Sequence, residues 1–347
     1  MADLKPSLAD LGEDELLSRI IPLMPAGESV IDNGDDAAVL PARNGRIVAC
    51  TDVIVEDRHF RREWSTGSDV GWRVAMQNLS DVSAMGAVGT QMLIGLVLPA
   101  QTPVAWIDDF ARGIAQACEH AVSQWMKPVG VAGGDLSGGE MIMASITALG
   151  DLEGREPLTR AGARDGDIVA VAGTLGYSAA GLALGQAQRI PDRLSDHWQD
   201  LADAEGDAAE LAKYAWHIYR RPQPPLAAGR RAGLAGASTA MDISDGLLRD
   251  LGRLARTSDV GIVLDSLPDL SNLELIASLL GKDEDAASRA AAWWLTGGED
   301  HALVATFPPH VDLPQGFSRI GQVTGAGGEV TTPDHLGEEA PGWDHFS

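Results

Sequence analysis

Apolar and polar positions alternate between two periods along the first half of the chain. Short apolar runs at Ile47–Cys50, Met92–Leu98 and Met143–Leu149 read as strands. Between them Val70, Val74, Val82 and Met85 recur at helical spacing, and Ile107, Phe110, Ile114, Ala117 and Ala121 mark a second amphipathic helix. Strands exchanging with helices in this way predict α/β layers rather than a bundle or a sandwich, with both helices on one face of a sheet. Asp151–Arg164 is polar and carries Gly154, Pro157 and Gly162, which predicts a connection between two domains, residues 1–150 and 151–347. The second half restarts with the apolar run Asp167–Ala172, a turn at Gly173–Gly176 and a helical segment at Ser178–Leu184. Asp192–Ala212 reads as a solvated helical insertion, and Pro222, Pro224 and Pro225 break the chain before a helix over Leu226–Ala232. Gly261–Leu264, Ala302–Phe307 and Ile320–Thr324 supply further strands, and no internal repeat is visible.

Charge narrows the partners. The 347 residues include 26 Lys and Arg against 50 Asp and Glu, a formal charge of −24, with 45% apolar residues, enough for a sizeable core. Surfaces that grip nucleic acid or an anionic membrane need clustered cations, so neither is expected here. An anionic substrate would require metal ions or local arginines. No apolar run approaches the roughly 20 residues that cross a bilayer, and Met1–Glu15 has no apolar secretory core, which predicts a cytoplasmic protein. Cys50 and Cys118 alone form neither a disulfide framework nor a zinc site.

The acids beside glycines and small residues carry the candidate chemistry. They fall in Gly34-Asp35-Asp36, Thr51-Asp52, Asn78-Leu79-Ser80-Asp81, Gly133-Gly134-Asp135, Asp242-Ile243-Ser244-Asp245-Gly246 and Gly297-Gly298-Glu299-Asp300. Singly, each also reads as a turn or a helix cap, which suits Ser244 or Asp245 ahead of Leu247–Ala255. Together they resemble the way α/β proteins gather oxygen ligands at strand ends, and Mg²⁺ in particular takes a few carboxylates plus waters and phosphates. Asp81 is the sharpest case, because an acid beside the stripe Val74, Val82 and Met85 needs a cation or a hydrogen bond, and Asn78 stands one turn before it. The glycines from Gly133 to Gly139 would let a phosphate approach the main chain, whereas no Walker-type loop is present.

In their order these motifs resemble the thiamine-monophosphate kinase family, with Thr51-Asp52 followed by His59-Phe60, Asp81 followed by Ala84-Met85-Gly86-Ala87, and Gly342-Trp343-Asp344 near the C-terminus. The resemblance implies an enzyme that transfers the γ-phosphate of ATP to thiamine monophosphate, giving thiamine diphosphate, with several Mg²⁺ ions. It implies an α/β (α+β) fold of the aminoimidazole-ribonucleotide-synthetase-like superfamily, in which N-terminal mixed sheets form a barrel across a homodimer and an α/β C-terminal domain lies beside them. By the same resemblance Asp36, Thr51, Asp52, Asp81, Asp135, Asp242 and Asp245 would hold magnesium. Gly134, Asp135, Arg160 and Ser244 would touch ATP, and His59, Glu299 and Trp343 the acceptor. No single catalytic residue is implied, because an ionised phosphate nucleophile mainly needs positioning and charge neutralisation. The chain departs from the family pattern at Cys50, Arg58, Leu136 and His301. Other ATP-using members of the superfamily are the nearest alternative. Selenophosphate synthetase would show a reactive Cys or selenocysteine near the N-terminus and the hydrogenase-maturation dehydratase a C-terminal Cys; neither is in this sequence. A calcium-binding scaffold would show the EF-hand loop pattern, which is also missing.

Overall fold

The computed structural model describes residues 13–29, 40–189, 206–281, 285–325 and 327–333. In chain order the elements of the first part are α1 (Glu13–Ile20), β1 (Val48–Val55), α2 (Gly67–Ala84), β2 (Val88–Leu98), α3 (Val104–Trp125), β3 (Gly130–Gly138) and β4 (Met143–Asp151). The second part holds β5 (Ile168–Ala172), α4 (Tyr177–Gln186), α5 (Asp207–Arg220), α6 (Ala227–Ala235), β6 (Thr239–Ile243) and α7 (Leu247–Ser258). It ends with β7 (Gly261–Leu264), α8 (Ser271–Ser278), α9 (Ala286–Thr296), β8 (Ala302–Phe307), β9 (Phe317–Thr324) and β10 (Val330–Thr331). The chain divides into two compact units, Met1–Val82 with Ala87–Arg155, and Ser83–Gly86 with Glu156–Ser347. Of the acidic insertion expected over Asp192–Ala212, residues 192–205 lie outside the described residues and the rest opens α5.

The first unit contains a mixed sheet in the order β1-β4-β2-β3, antiparallel except for the parallel pair of β2 and β3. Its two faces differ. Ile54, Met92, Ile94, Leu96, Ala144, Ile146 and Ala148 are buried on one, while Ala49, Thr51, Val53 and Leu93 point to the other and are exposed. This is the period-2 signature of a sheet covered on one side. Contacts from Leu79 of α2 and Trp125 of α3 onto Gly89 of β2 set both helices on the covered face.

The second unit contains a six-stranded sheet in the order β10-β7-β9-β5-β8-β6, in which only β10 and β7 run parallel. Val169, Val171, Met241, Ile243, Ala302 and Val304 pack on one side with residues of α4, α5, α7, α8 and α9. Ala170, Ala172, Ala240, Leu303, Ala305 and Phe307 pack on the other with Ala228 and Ala232 of α6. Both faces are covered, so β5, β6 and β8 read as unbroken apolar runs rather than as alternating ones.

Three expectations about local structure are corrected. Thr51 and Asp52 do not follow a strand that ends at Cys50. The β-branched run Val53-Ile54-Val55 carries β1 onward in unbroken register with β4, and Thr51 faces Thr147 in mid-strand. The glycine-rich segment around Gly133-Gly134-Asp135 is likewise strand β3, held by parallel pairing to β2, in which Ile94 opposes Gly134 and Gly95 opposes Asp135. Asp242 also lies within a strand, β6, and not at a break.

Candidate active site

In the first unit the candidate residues divide between the two faces of the sheet. Asp52 lies on the covered side and is fixed twice by α2: its main-chain N–H donates to Asn78 Oδ1 at 2.9 Å, and Gln77 Nε2 donates to its Oδ2 at 3.0 Å. Asn78 is fully buried, and its Nδ2 donates to Val74 O at 2.8 Å, so it serves both the helix and the strand. Gln77 and Asp81 stand four residues apart on α2, one above the other, which sets Asp81 in the neighbourhood of Asp52. Asn78 thus holds the main chain of Asp52.

Thr51 points to the open face, where its hydroxyl donates to Ile146 O at 3.0 Å and lies 3.3 Å from Thr147 Oγ1. Successive strand residues face opposite sides, so the side chains of Thr51 and Asp52 do not reach one ion together. Asp135 also belongs to the open face: its strand neighbour Leu136 opposes buried Leu96, and Ser137 Oγ donates to Asp135 Oδ2 at 3.1 Å. Gly134 has a packing reason of its own, because a Cβ there would lie 2.2 Å from Ile94 O. His59 sits on the turn after β1, where Val55 N–H donates to its Nδ1 at 3.0 Å. A ring nitrogen that accepts is unprotonated, so the neutral imidazole carries its proton on Nε2. The same turn is braced by Glu56, whose carboxylate pairs with Arg62 and accepts Ile142 N–H at 3.1 Å.

In the second unit two motifs meet. The turn Gly297–Asp300 lies against the turn that joins β6 to α7: Glu299 N–H donates to Ser244 O at 2.9 Å, and a Cβ on Gly298 would lie 2.4 Å from that same oxygen. Only glycine fits so close an approach. Asp242, Ser244, Asp245 and Glu299 are thereby brought together. Asp242 is buried and its Oδ2 lies 3.0 Å from Nδ1 of buried His301, which gives the unusual His301 a role in holding that acid. Neither Ser244 nor Asp245 caps α7; Gly246 is the N-cap residue, with φ +113° and no side-chain bond. Asp245 Oδ2 instead lies 2.6 Å from Arg253 and 3.9 Å from Arg249. Arg160 is exposed on the loop after β4, its carbonyl held by Ser258 Oγ at 2.9 Å.

Two buried acids support these turns: Asp250, which residue patterns alone did not select, and Asp300, the last residue of the Gly297–Asp300 motif. Asp250 accepts the N–H groups of Ser244 and Asp245, and burial pushes its carboxyl up to about 6, while the nearby Arg253 pulls the other way. Asp300 accepts N–H groups from Gly176 at 3.1 Å and Ser178 at 3.1 Å at the start of α4. Burial pushes its carboxyl up to about 7 against the pull of those donors. The acceptor at this helix N-terminus is therefore the protein's own carboxyl, which occupies the amides that a phosphate would use. The signal for Asp250 was present in the sequence: an acid between Leu247, Leu251 and Leu254 on an apolar stripe, the same mark that singles out Asp81. Asp36 and Trp343 lie outside the described residues.

Residues 34–152 match the family described as AIR synthase related protein, N-terminal domain. The chain is 37% identical to the thiamine-monophosphate kinase of Mycobacterium tuberculosis strain H37Rv, over 100% of this chain and 95% of the relative. It is 39% identical to that of Corynebacterium glutamicum, over 98% of this chain and 95% of the relative. The chain belongs to the thiamine-monophosphate kinase family. Its fold agrees: a solved structure described as AaThiL complexed with AMPPCP and TMP superposes with a TM-score of 0.70 at 28% identity, covering 100% of both chains. The α/β, two-sheet architecture is thus that of the thiamine-monophosphate kinases. Among the described residues no helix is long and apolar enough to cross a membrane.

The acids of each unit suit the Mg²⁺ that the family implies. In the first unit Asp52, Asp81 and Asp135, and in the second Asp242 and Asp245, offer hard carboxylate oxygens, and among the described residues no group of three His, Cys, Asp or Glu forms a ready cage. Such a set fits Mg²⁺, which takes one or two carboxylates per ion and completes its shell with water and substrate phosphates. It does not fit a soft metal held by thiolates and imidazoles.

Proposed function

We infer that the chain transfers the γ-phosphate of ATP to thiamine monophosphate, giving thiamine diphosphate and ADP. The observation that carries this reading is similarity over the whole chain to thiamine-monophosphate kinases, together with the full-length likeness to a relative solved with AMPPCP and TMP. Incubating the purified protein with ATP, Mg²⁺ and thiamine monophosphate should yield thiamine diphosphate and ADP, with free thiamine left unchanged. ATP binding without diphosphate formation would move the reading to a sister ATP-using enzyme of the superfamily.

The finer part of the proposal concerns the metal and the residues. Asp36, Asp52, Asp81, Asp135, Asp242 and Asp245 would hold magnesium, and Thr51 would contribute through its main chain because its hydroxyl faces away from Asp52. Magnesium, when bound, would neutralise two polyanions and align them for in-line transfer. Gly134, Asp135, Arg160 and Ser244 would receive ATP. His59 would donate from Nε2–H to the acceptor phosphate, since Val55 N–H occupies Nδ1. Glu299 and Trp343 would face the cationic thiazolium and the pyrimidine, through charge and stacking respectively. Residues 1–150 would form an ATP, magnesium and dimerisation domain, and 151–347 would complete the nucleotide and acceptor site. A homodimer is supported by the open sheet face, where Val53 and Leu93 are 42% and 36% exposed. A cytoplasmic setting, where ATP is made, belongs to the same proposal.

A further inference from the structure

Asp250 has no part in the reading above, yet its side chain is 0% exposed and it lies directly behind the Ser244–Asp245 turn. It projects from the first turn of α7 among buried Leu247, Leu251 and Leu254. One oxygen, Oδ2, accepts Ser244 N–H at 3.1 Å and Asp245 N–H at 3.0 Å. The other, Oδ1, accepts Arg253 Nη1 at 2.7 Å, and the same nitrogen lies 2.6 Å from Asp245 Oδ2. One enclosed carboxylate therefore fixes the main chain of two residues and, through one guanidinium, the side chain of one of them. A helix cap would satisfy the first amides of its own helix. Asp250 reaches past the N-cap Gly246 to two residues outside α7, which helix formation does not require. Enclosing a charged pair contributes little to stability once desolvation is counted, so stability alone is a poor reason for this arrangement.

We propose that Asp250 is a positioning residue of the phosphoryl-transfer site, holding the Ser244–Asp245 main chain and, through Arg253, aiming Asp245 at the cation that accompanies the nucleotide phosphates. The proposal rests on the assignment of Ser244 to ATP and Asp245 to magnesium made above. Both arginines address Asp245 Oδ2, at 2.6 Å from Arg253 and 3.9 Å from Arg249, which leaves Oδ1 to ligate. Asp250 itself touches neither substrate nor metal.

The test compares wild type with Asp250→Asn by peptide-resolved hydrogen exchange and by calorimetric titration with AMPPCP at stepped Mg²⁺ concentrations. In Asp250→Asn, exchange should quicken over the peptide that contains Ser244 and Asp245 and remain as in wild type elsewhere. AMPPCP affinity should fall, and the Mg²⁺ needed for half-saturation should rise, each by about 10-fold or more, the size seen when a supporting residue behind a metal ligand is removed. Wild-type exchange together with wild-type affinity would overturn the positioning role. Faster exchange with unchanged AMPPCP affinity would leave the clamp standing and overturn the nucleotide assignment of this turn. Should Asp250→Asn not fold, Arg253→Gln carries the test, because it keeps both acceptor bonds of Oδ2 to the main chain and removes the guanidinium that joins Asp250 Oδ1 to Asp245. Unchanged Mg²⁺ dependence in that variant would equally refute the proposal.

Discussion

Asp300 and His301 are adjacent buried residues with opposite tasks. His301 holds Asp242 at 3.0 Å, so a phenylalanine there leaves a buried carboxylate short of a partner, at a cost of about 1–3 kcal/mol. His301→Phe should lower the urea midpoint and the kinase rate together, whereas His301→Tyr, which keeps an aromatic ring and adds a hydroxyl donor, should recover most of each. An unchanged midpoint and rate in His301→Phe would make the imidazole–carboxylate bond irrelevant. Asp300 carries a pH signature instead. Its carboxyl is pushed up to about 7 in the folded protein, against about 4 for an unfolded chain. Between those values the folded state holds a proton that the unfolded state has released, so stability from this group falls as pH rises through that window and is level outside it. Thermal unfolding of wild type should therefore weaken from pH 5 to pH 8 more steeply than that of Asp300→Asn, whose amide retains one acceptor for the α4 amides but has no proton to lose. Parallel curves would show that Asp300 is ionised throughout.

Among the elements, what the residue pattern disclosed depended on how a segment is stabilised. Strands β7 and β8 carry their own apolar runs and helices α2 and α3 their own periodicity, and all four lie where the pattern puts them. Strand β3 does not advertise itself, because Gly133, Gly134, Gly138 and Ser137 have weak strand preference and the parallel ladder with β2 supplies the order. Strand β1 runs through Thr51 and Asp52 for a similar reason: pairing with β4 overrides two polar residues. Each acid motif stands out in the sequence, but the face of the sheet that each residue takes does not, since it depends on the full length of β1 and on the pairing of β3 with β2. Two outcomes follow from that placement. Asp52→Asn should abolish turnover with the fold intact by circular dichroism, while Thr51→Val should retain most of it, and the reverse order would exchange their roles. Gly134→Ala should destabilise the first unit by about 1–3 kcal/mol, because its Cβ would meet Ile94 O at 2.2 Å and the strand must shift. An unchanged urea midpoint would mean that β3 bends there freely.

Across the whole molecule the surplus of 24 acidic charges has two effects that pull apart. Self-repulsion loosens a folded polyanion, and any added salt relieves it by screening. Ions that ligate the proposed acids add a second contribution, which follows mass action and depends on the identity of the ion. The two can be separated at constant ionic strength. Replacing NaCl by MgCl₂ at matched ionic strength should raise the unfolding temperature, EDTA should reverse the gain, and adding AMPPCP should extend it, because the nucleotide phosphates complete the magnesium shell. In Asp242→Asn, which loses one charge of the surplus and one proposed ligand, the screening response to NaCl should persist almost unaltered while the magnesium and AMPPCP increments shrink. If NaCl and MgCl₂ act alike at equal ionic strength in wild type, the carboxylates are a diffuse negative surface. The transfer reaction would then have to draw its charge neutralisation from Arg160 and other cations of the chain.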